Sequence, residues 1–146
     1  MKVREIMRQA LVTIRPDAPA RVAAELMRTR EVRHVLVTDE RERLLGIVTD
    51  RDLRHSAFLP MLARHLAWEE RWLKAPRVRD VMTWNVVTIE PDADLVRAGF
   101  LMFTRRIGSL PVTDHGTLVG IVTERDLFDA FRTAGESPDP AELYLG

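Results

Sequence analysis

The chain is written twice. Slid by 75 positions against itself, the sequence brings Val3 onto Val78, Met7 onto Met82 and Thr13 onto Thr88. Pro16-Asp17-Ala18 then meets Pro91-Asp92-Ala93, Leu26-Met27 meets Leu101-Met102, and Val37-Thr38-Asp39 meets Val112-Thr113-Asp114. One residue is lost in a turn of the second copy, and at an offset of 74 Gly46-Ile47-Val48-Thr49-Asp50-Arg51-Asp52-Leu53 meets Gly120-Ile121-Val122-Thr123-Glu124-Arg125-Asp126-Leu127. Chance does not align so many positions in order with a single gap. Two copies are too few for a solenoid array. They predict a pseudo-symmetric pair, each half covering the apolar face of the other.

The size allows this and little more. A chain of 146 residues suits one compact domain or two small ones sharing a core. Its 22 basic and 22 acidic residues balance, so a nucleic-acid partner is disfavoured. No apolar run is long enough to span a bilayer, and Met1-Lys2-Val3-Arg4-Glu5 lacks the features of a signal peptide. Without cysteine there is no disulfide, thiol nucleophile or cysteine–zinc site, and a cytoplasmic location is the default expectation.

Within one copy, Val3–Met7 reads as a short helical turn and Leu11–Ile14 as a short apolar strand. Pro16-Asp17 forms a turn in which Asp17 can cap the next helix. Residues 18–30 carry Val22, Ala23, Leu26 and Met27 at helical spacing. His34–Thr38 and Leu44–Val48 read as hairpin-paired strands around a polar turn, and a helix starts after Thr49. The second copy repeats this order with strand 86–89, helix 93–105, strands 109–113 and 118–122, and a helix from 124. Between the copies, Pro60 should end or kink a helix. Residues 61–74, with His65 and Glu69, predict a packed linking helix. The tail 134–146 should be loosely held.

The strand-helix-strand-strand-helix order resembles the CBS domain family, named after cystathionine β-synthase. The doubled Gly-Ile-Val-Thr-Asp/Glu-Arg-Asp run carries the resemblance. Val78-Arg79-Asp80-Val81-Met82-Thr83, Val86-Val87-Thr88 and Ser109-Leu110-Pro111-Val112 support it. It implies an α+β fold of two CBS units, residues 1–58 and 78–133, joined by a linker over 59–77 and followed by the tail. The units would pack through their small sheets and leave two clefts that take adenosine-containing ligands.

Thr49-x-x-Asp52 and Thr123-x-x-Asp126 each end a strand and open a helix. From spacing alone, a helix cap is the stronger reading. The same place also suits a ligand: a helix start favours phosphate, and a carboxylate can accept from both ribose hydroxyls. The duplication and the resemblance together shift the preference to ribose on Asp52 and Asp126, with Thr49 and Thr123 near phosphate. Arg51 and Arg125 flank these turns, where guanidinium fits phosphate, although an exposed Arg is as often simply solvated. Arg33-His34 open the first middle strand where the second copy has Gly108-Ser109. The resemblance implies that such basic residues neutralise phosphates, so the two clefts should differ in charge. By the same resemblance Val32, Val35, Ile107, Gly108, Ser109 and Leu110 would line adenine slots, with Thr13 and Thr88 contributing. Each of these is also an ordinary core or strand residue.

Phe100 and Phe103 stand where the first copy has Glu25 and Arg28. This gain of apolar surface predicts either cover from the linker or tail, or a twofold dimer interface. No catalytic constellation or metal-ligand spacing is present: His34, His55, His65 and His115 form no HExxH, and there is no Walker loop or GxGxxG. The expectation is a non-enzymatic regulatory homodimer with no obligatory cofactor. It would bind AMP, ADP or ATP, ahead of S-adenosylmethionine or a dinucleotide, and signal to an effector protein. The alternative is a constitutive scaffold whose clefts take no ligand.

Overall fold

The computed structural model describes residues 1–56 and 76–133. The expected linking helix and tail lie outside the described residues. The chain divides into two compact units, Val12–Val86 and Met1–Leu11 with Val87–Gly146.

The unit Val12–Val86 holds β1 (Thr13–Ile14), α1 (Ala20–Arg30), β2 (His34–Thr38) and β3 (Leu44–Thr49). Helix α2 opens at residue 50 and is described through 56. The unit is completed by α3 (Val78–Val81) and β4 (Thr83–Trp84). The sheet order is β1-β2-β3-β4, with β1 parallel to β2 and the other pairs antiparallel. Ile14, Ala23, Met27, Val35, Val37, Val48, Val78 and Met82 form one apolar cluster. Val22, expected on the buried side of α1, is 37% exposed. The buried stripe is Ala20, Ala23 and Met27, at i, i+3 and i+7, which turns Val22 outward.

The other unit repeats the plan. Strands β5 (Ser109–Asp114) and β6 (Thr117–Thr123) form the hairpin, flanked by α4 (Leu95–Arg105) and α5 (Glu124–Thr133). The outer lanes shrink to single bridges, Ile89 parallel to Val112 and Arg8 antiparallel to Ile121. The expected strand 86–89 is thus reduced to Ile89. Val3, Ile89, Leu95, Ala98, Met102, Leu110, Val112, Val122 and Leu127 make its core.

The compact units do not follow the repeats. The Val3 amide donates to the Ala93 carbonyl at 2.9 Å, and the Val78 amide to the Ala18 carbonyl at 2.8 Å. Arg4 and Arg79 likewise donate to the carbonyls of Pro91 and Pro16, both at 2.9 Å. Each helical turn that opens a repeat therefore docks on the Pro-Asp-Ala turn of the other repeat and buries its valine completely. This corrects the reading of Asp17 as a helix cap. Helix α1 starts at Ala20 behind an N-cap Pro19 that has no capping side chain, too far along for Asp17 to reach. Asp17 pairs instead with Arg79 at 3.1 Å, as Asp92 pairs with Arg4. The matching helix α4 does have a side-chain cap, Asp94, which accepts the Val96 amide at 2.8 Å.

Candidate functional site

Each hairpin delivers its last strand directly into a helix, and the junction is built alike in both copies. His34 faces Thr49 across β2 and β3, and Ser109 faces Thr123 across β5 and β6. The first helical amide is tied back to the neighbouring strand: Asp50 N–H donates to the Arg33 carbonyl and Glu124 N–H to the Gly108 carbonyl, each at 3.0 Å. Arg33-His34 and Gly108-Ser109 are thereby held beside the two Thr-x-x-Asp turns.

The turns are reciprocal caps. Thr49 N–H donates to Asp52 Oδ2 at 2.9 Å, and Asp52 N–H donates to Thr49 Oγ1 at 3.2 Å. The second copy gives 2.9 Å for Thr123 N–H to Asp126 Oδ2 and 3.3 Å for Asp126 N–H to Thr123 Oγ1. The capping role read from the spacing is therefore present in both copies. It does not exhaust the groups. Each hydroxyl still has its proton to donate, and each carboxylate has an oxygen outside the cap.

A helix start favours phosphate through its free amides, but in the first copy these are already taken. The Arg33 carbonyl, the Asp50 carboxylate and the Thr49 hydroxyl take the amides of Asp50, Arg51 and Asp52 in turn. Any attraction for phosphate at this turn must then come from side chains. Arg51 and Arg125 are exposed and form no ion pair among the described residues, Arg33 is exposed, and His34 is half-buried.

Two residues that sequence reading missed shape the electrostatics. Burial pushes the Asp50 carboxyl up, but its ion pair with Arg54 at 2.6 Å, the Arg51 amide and the nearby Arg33 charge outweigh burial and hold it below 3.8. Arg33 thus already shares its field with a carboxylate. Glu124, the counterpart of Asp50, makes no such bond among the described residues. The other missed residue is Arg8, whose Nε lies 3.0 Å from Asp126 Oδ1. It is 118 positions away in sequence, so no local motif could announce it.

The expected adenine-slot residues divide. The side chains of Val35 and Leu110 lie wholly within the two cores, and Ser109 is 8% exposed. Val32 and Ile107 pack part-buried against those cores, Gly108 is intermediate, and Thr13 and Thr88 are exposed. Among the described residues no group of His, Asp and Glu is placed to hold a metal, and no helix is long and apolar enough to cross a membrane.

Residues 3–58 and 78–133 match the CBS domain family. A CBS domain-containing protein of Dictyostelium discoideum is 36% identical over 128 residues, covering 87% of this chain and 88% of that protein. Among solved structures, a CBS domain pair in complex with 5′-methylthioadenosine and S-adenosyl-L-methionine superposes with TM-score 0.76 at 25% identity, covering 92% of this chain and 98% of the other. CBSX2 in complex with AMP superposes with TM-score 0.75 at 28% identity, with coverage of 92% and 98%.

Proposed function

The chain belongs to the CBS domain family, as a tandem pair, and from that premise we propose that it is a non-enzymatic regulatory module that binds adenosine-containing ligands at its strand-to-helix turns. AMP, ADP and ATP are the favoured class. The observation that carries the reading is the twice-built reciprocal cap. It fixes the Asp52 and Asp126 carboxylates in one orientation while leaving an oxygen outside the cap for a ribose diol. The adjacent hydroxyl can meet a phosphate, and Arg51 and Arg33 supply positive charge beside the first turn, where His34 opens the neighbouring strand. That two structurally similar CBS proteins were solved with adenosine compounds supports the ligand class. Binding would act on an effector protein by favouring one arrangement of the module over another.

The reading includes self-association through α4. Val96, Phe100 and Phe128 are 69%, 48% and 60% exposed. Their counterparts in the first copy are Arg21, Glu25 and Arg54, charged residues of which the last two are ion-paired. In the second copy α4 thus presents Val96, Phe100 and Phe103, and α5 presents Phe128, where the first copy carries charged residues. A second copy of the chain is the proposed cover.

Calorimetric titration of the nucleotide-stripped protein with AMP, ADP, ATP and S-adenosylmethionine tests the ligand reading. Saturable heat with at least one of them is expected. Silence from all four, with no thermal shift, would leave the scaffold reading in its place.

A further inference from the structure

The two turns share their cap but not their surroundings. Asp52 and Asp126 occupy matching positions and accept the same threonine amide at the same 2.9 Å. Asp126 also receives Arg8, whose Nε donates to Oδ1 at 3.0 Å, while the Asp126 side chain is only 10% exposed. Arg8 is placed by its backbone: its N–H donates to the Ile121 carbonyl at 2.9 Å and its carbonyl accepts the Ile121 N–H at 3.0 Å. The matching lane in the other unit pairs Ile47 with Thr83. A threonine side chain is too short to bridge to Asp52, and among the described residues only the Thr49 amide bonds to the Asp52 carboxylate. The difference between the copies is therefore one long cation on the oxygen outside the cap, present at Asp126 and absent at Asp52.

That oxygen is the one a ribose hydroxyl must reach. A guanidinium on it fills one acceptor direction, stands in the approach path, and weakens the remaining lone pairs as acceptors for a neutral hydroxyl. We propose that Arg8 is a built-in competitor for ribose at the Asp126 turn, so that the Asp52 turn fills first and the Asp126 turn fills only by displacing Arg8. This rests on the reading of both turns as ribose sites and adds an order of occupancy to it. Arg8 is about half exposed, so the pair is worth what a partly solvated ion pair is worth. Its removal should strengthen ribose binding by about two- to fivefold.

The test uses adenosine, which offers the diol without a phosphate that Arg8 could hold, and follows binding by calorimetry on the full chain. Asn keeps an oxygen to accept the cap amide, so Asp52→Asn removes the open carboxylate with the turn intact. In that background Arg8→Gln should tighten the remaining adenosine site, and Arg8→Lys should fall between Arg and Gln. In the otherwise unchanged chain, Asp52→Asn should cost more adenosine affinity than Asp126→Asn. Urea midpoints of all variants confirm folding, which the main-chain bridge to Ile121 should preserve. Unchanged or weaker adenosine binding on Arg8→Gln overturns the competitor role while leaving ribose binding at both turns standing. No adenosine binding to the unsubstituted protein removes the ribose reading itself, and the proposal with it.

Discussion

Gly46 sits against the backbone of Thr83 so closely that a methyl group on it would overlap the Thr83 carbonyl and lie 2.6 Å from the Met82 side chain. The glycine that opens the repeated motif is thus a contact point for a neighbouring strand. Its partner Gly120 would meet Met7 at 2.8 Å and the Arg8 carbonyl at 3.1 Å. The first obstacle is backbone, while the second is mostly a flexible side chain. Gly46→Ala should cost about 2–3 kcal/mol and Gly120→Ala about 1 kcal/mol in urea unfolding, by the usual penalty of overpacking. Equal costs would show that β4 yields as readily as the Met7 side chain.

Acid should destabilise the unit Val12–Val86 partly through Asp39 and Asp50. The Arg43 amide, the Arg43 guanidinium and the Arg41 amide hold the Asp39 carboxyl below 3.8 against some desolvation. Asp50 is held low by Arg54, the Arg51 amide and the Arg33 charge despite burial. Both carboxyls bind protons more weakly folded than unfolded. Their contribution is complete above the ordinary carboxylate value and is lost as pH falls through the lowered folded values. Urea midpoints between pH 7 and about pH 3 should fall less steeply for Asp39→Asn and Asp50→Asn than for the unsubstituted chain. Parallel curves would mean that these pairs contribute nothing.

Self-association is predicted to depend on Phe100. Phe100→Glu places a charge in the middle of the α4 stripe, at a position half exposed and therefore tolerant in the folded unit. Sedimentation should show dimers for the unsubstituted protein and monomers for the variant. A dimer that survives the substitution assigns the interface elsewhere.

Arg33 and His34 should discriminate phosphate. The double variant Arg33→Ala with His34→Ala should weaken AMP about tenfold and adenosine much less, because charge-assisted bonds to the phosphate are lost while ribose contacts remain. Since the Arg33 charge also reaches Asp50, Arg33→Ala should raise the Asp50 carboxyl toward its ordinary value. Equal loss for both ligands would remove the phosphate role.

Much of this was legible because the repeat supplies its own control. Short apolar runs bounded by polar turns placed His34–Thr38 correctly, and the same signal found β3, β5 and β6 to within a residue. The doubled Thr-x-x-Asp run announced both caps. What escaped was non-local. Val22 looked apolar and was assigned inward, but only the packed stripe of Ala20, Ala23 and Met27 decides which side of α1 is buried. Asp17 looked like a cap until Arg79, 62 positions on, proved to be its partner. The docking of Val3 and Val78 on the opposite repeat's turn, and the reach of Arg8 to Asp126, follow from chain exchange between compact units. No window of adjacent residues encodes that. The one trace in the sequence was a mismatch between copies, Arg8 against Thr83, which reads as noise until the lanes are known.

The central claim is that the carboxylate in the first turn holds the ribose of an adenosine ligand. AMP titrated into Asp52→Asn tests it most directly, since the cap can persist and only the charged acceptor is lost. The account predicts an unfolding midpoint near that of the unsubstituted protein and AMP affinity at least tenfold weaker, about 1.5–3 kcal/mol for hydrogen bonds to a charged group. Unchanged AMP affinity in a folded Asp52→Asn protein would contradict it and return the Thr49–Asp52 pair to a purely structural cap.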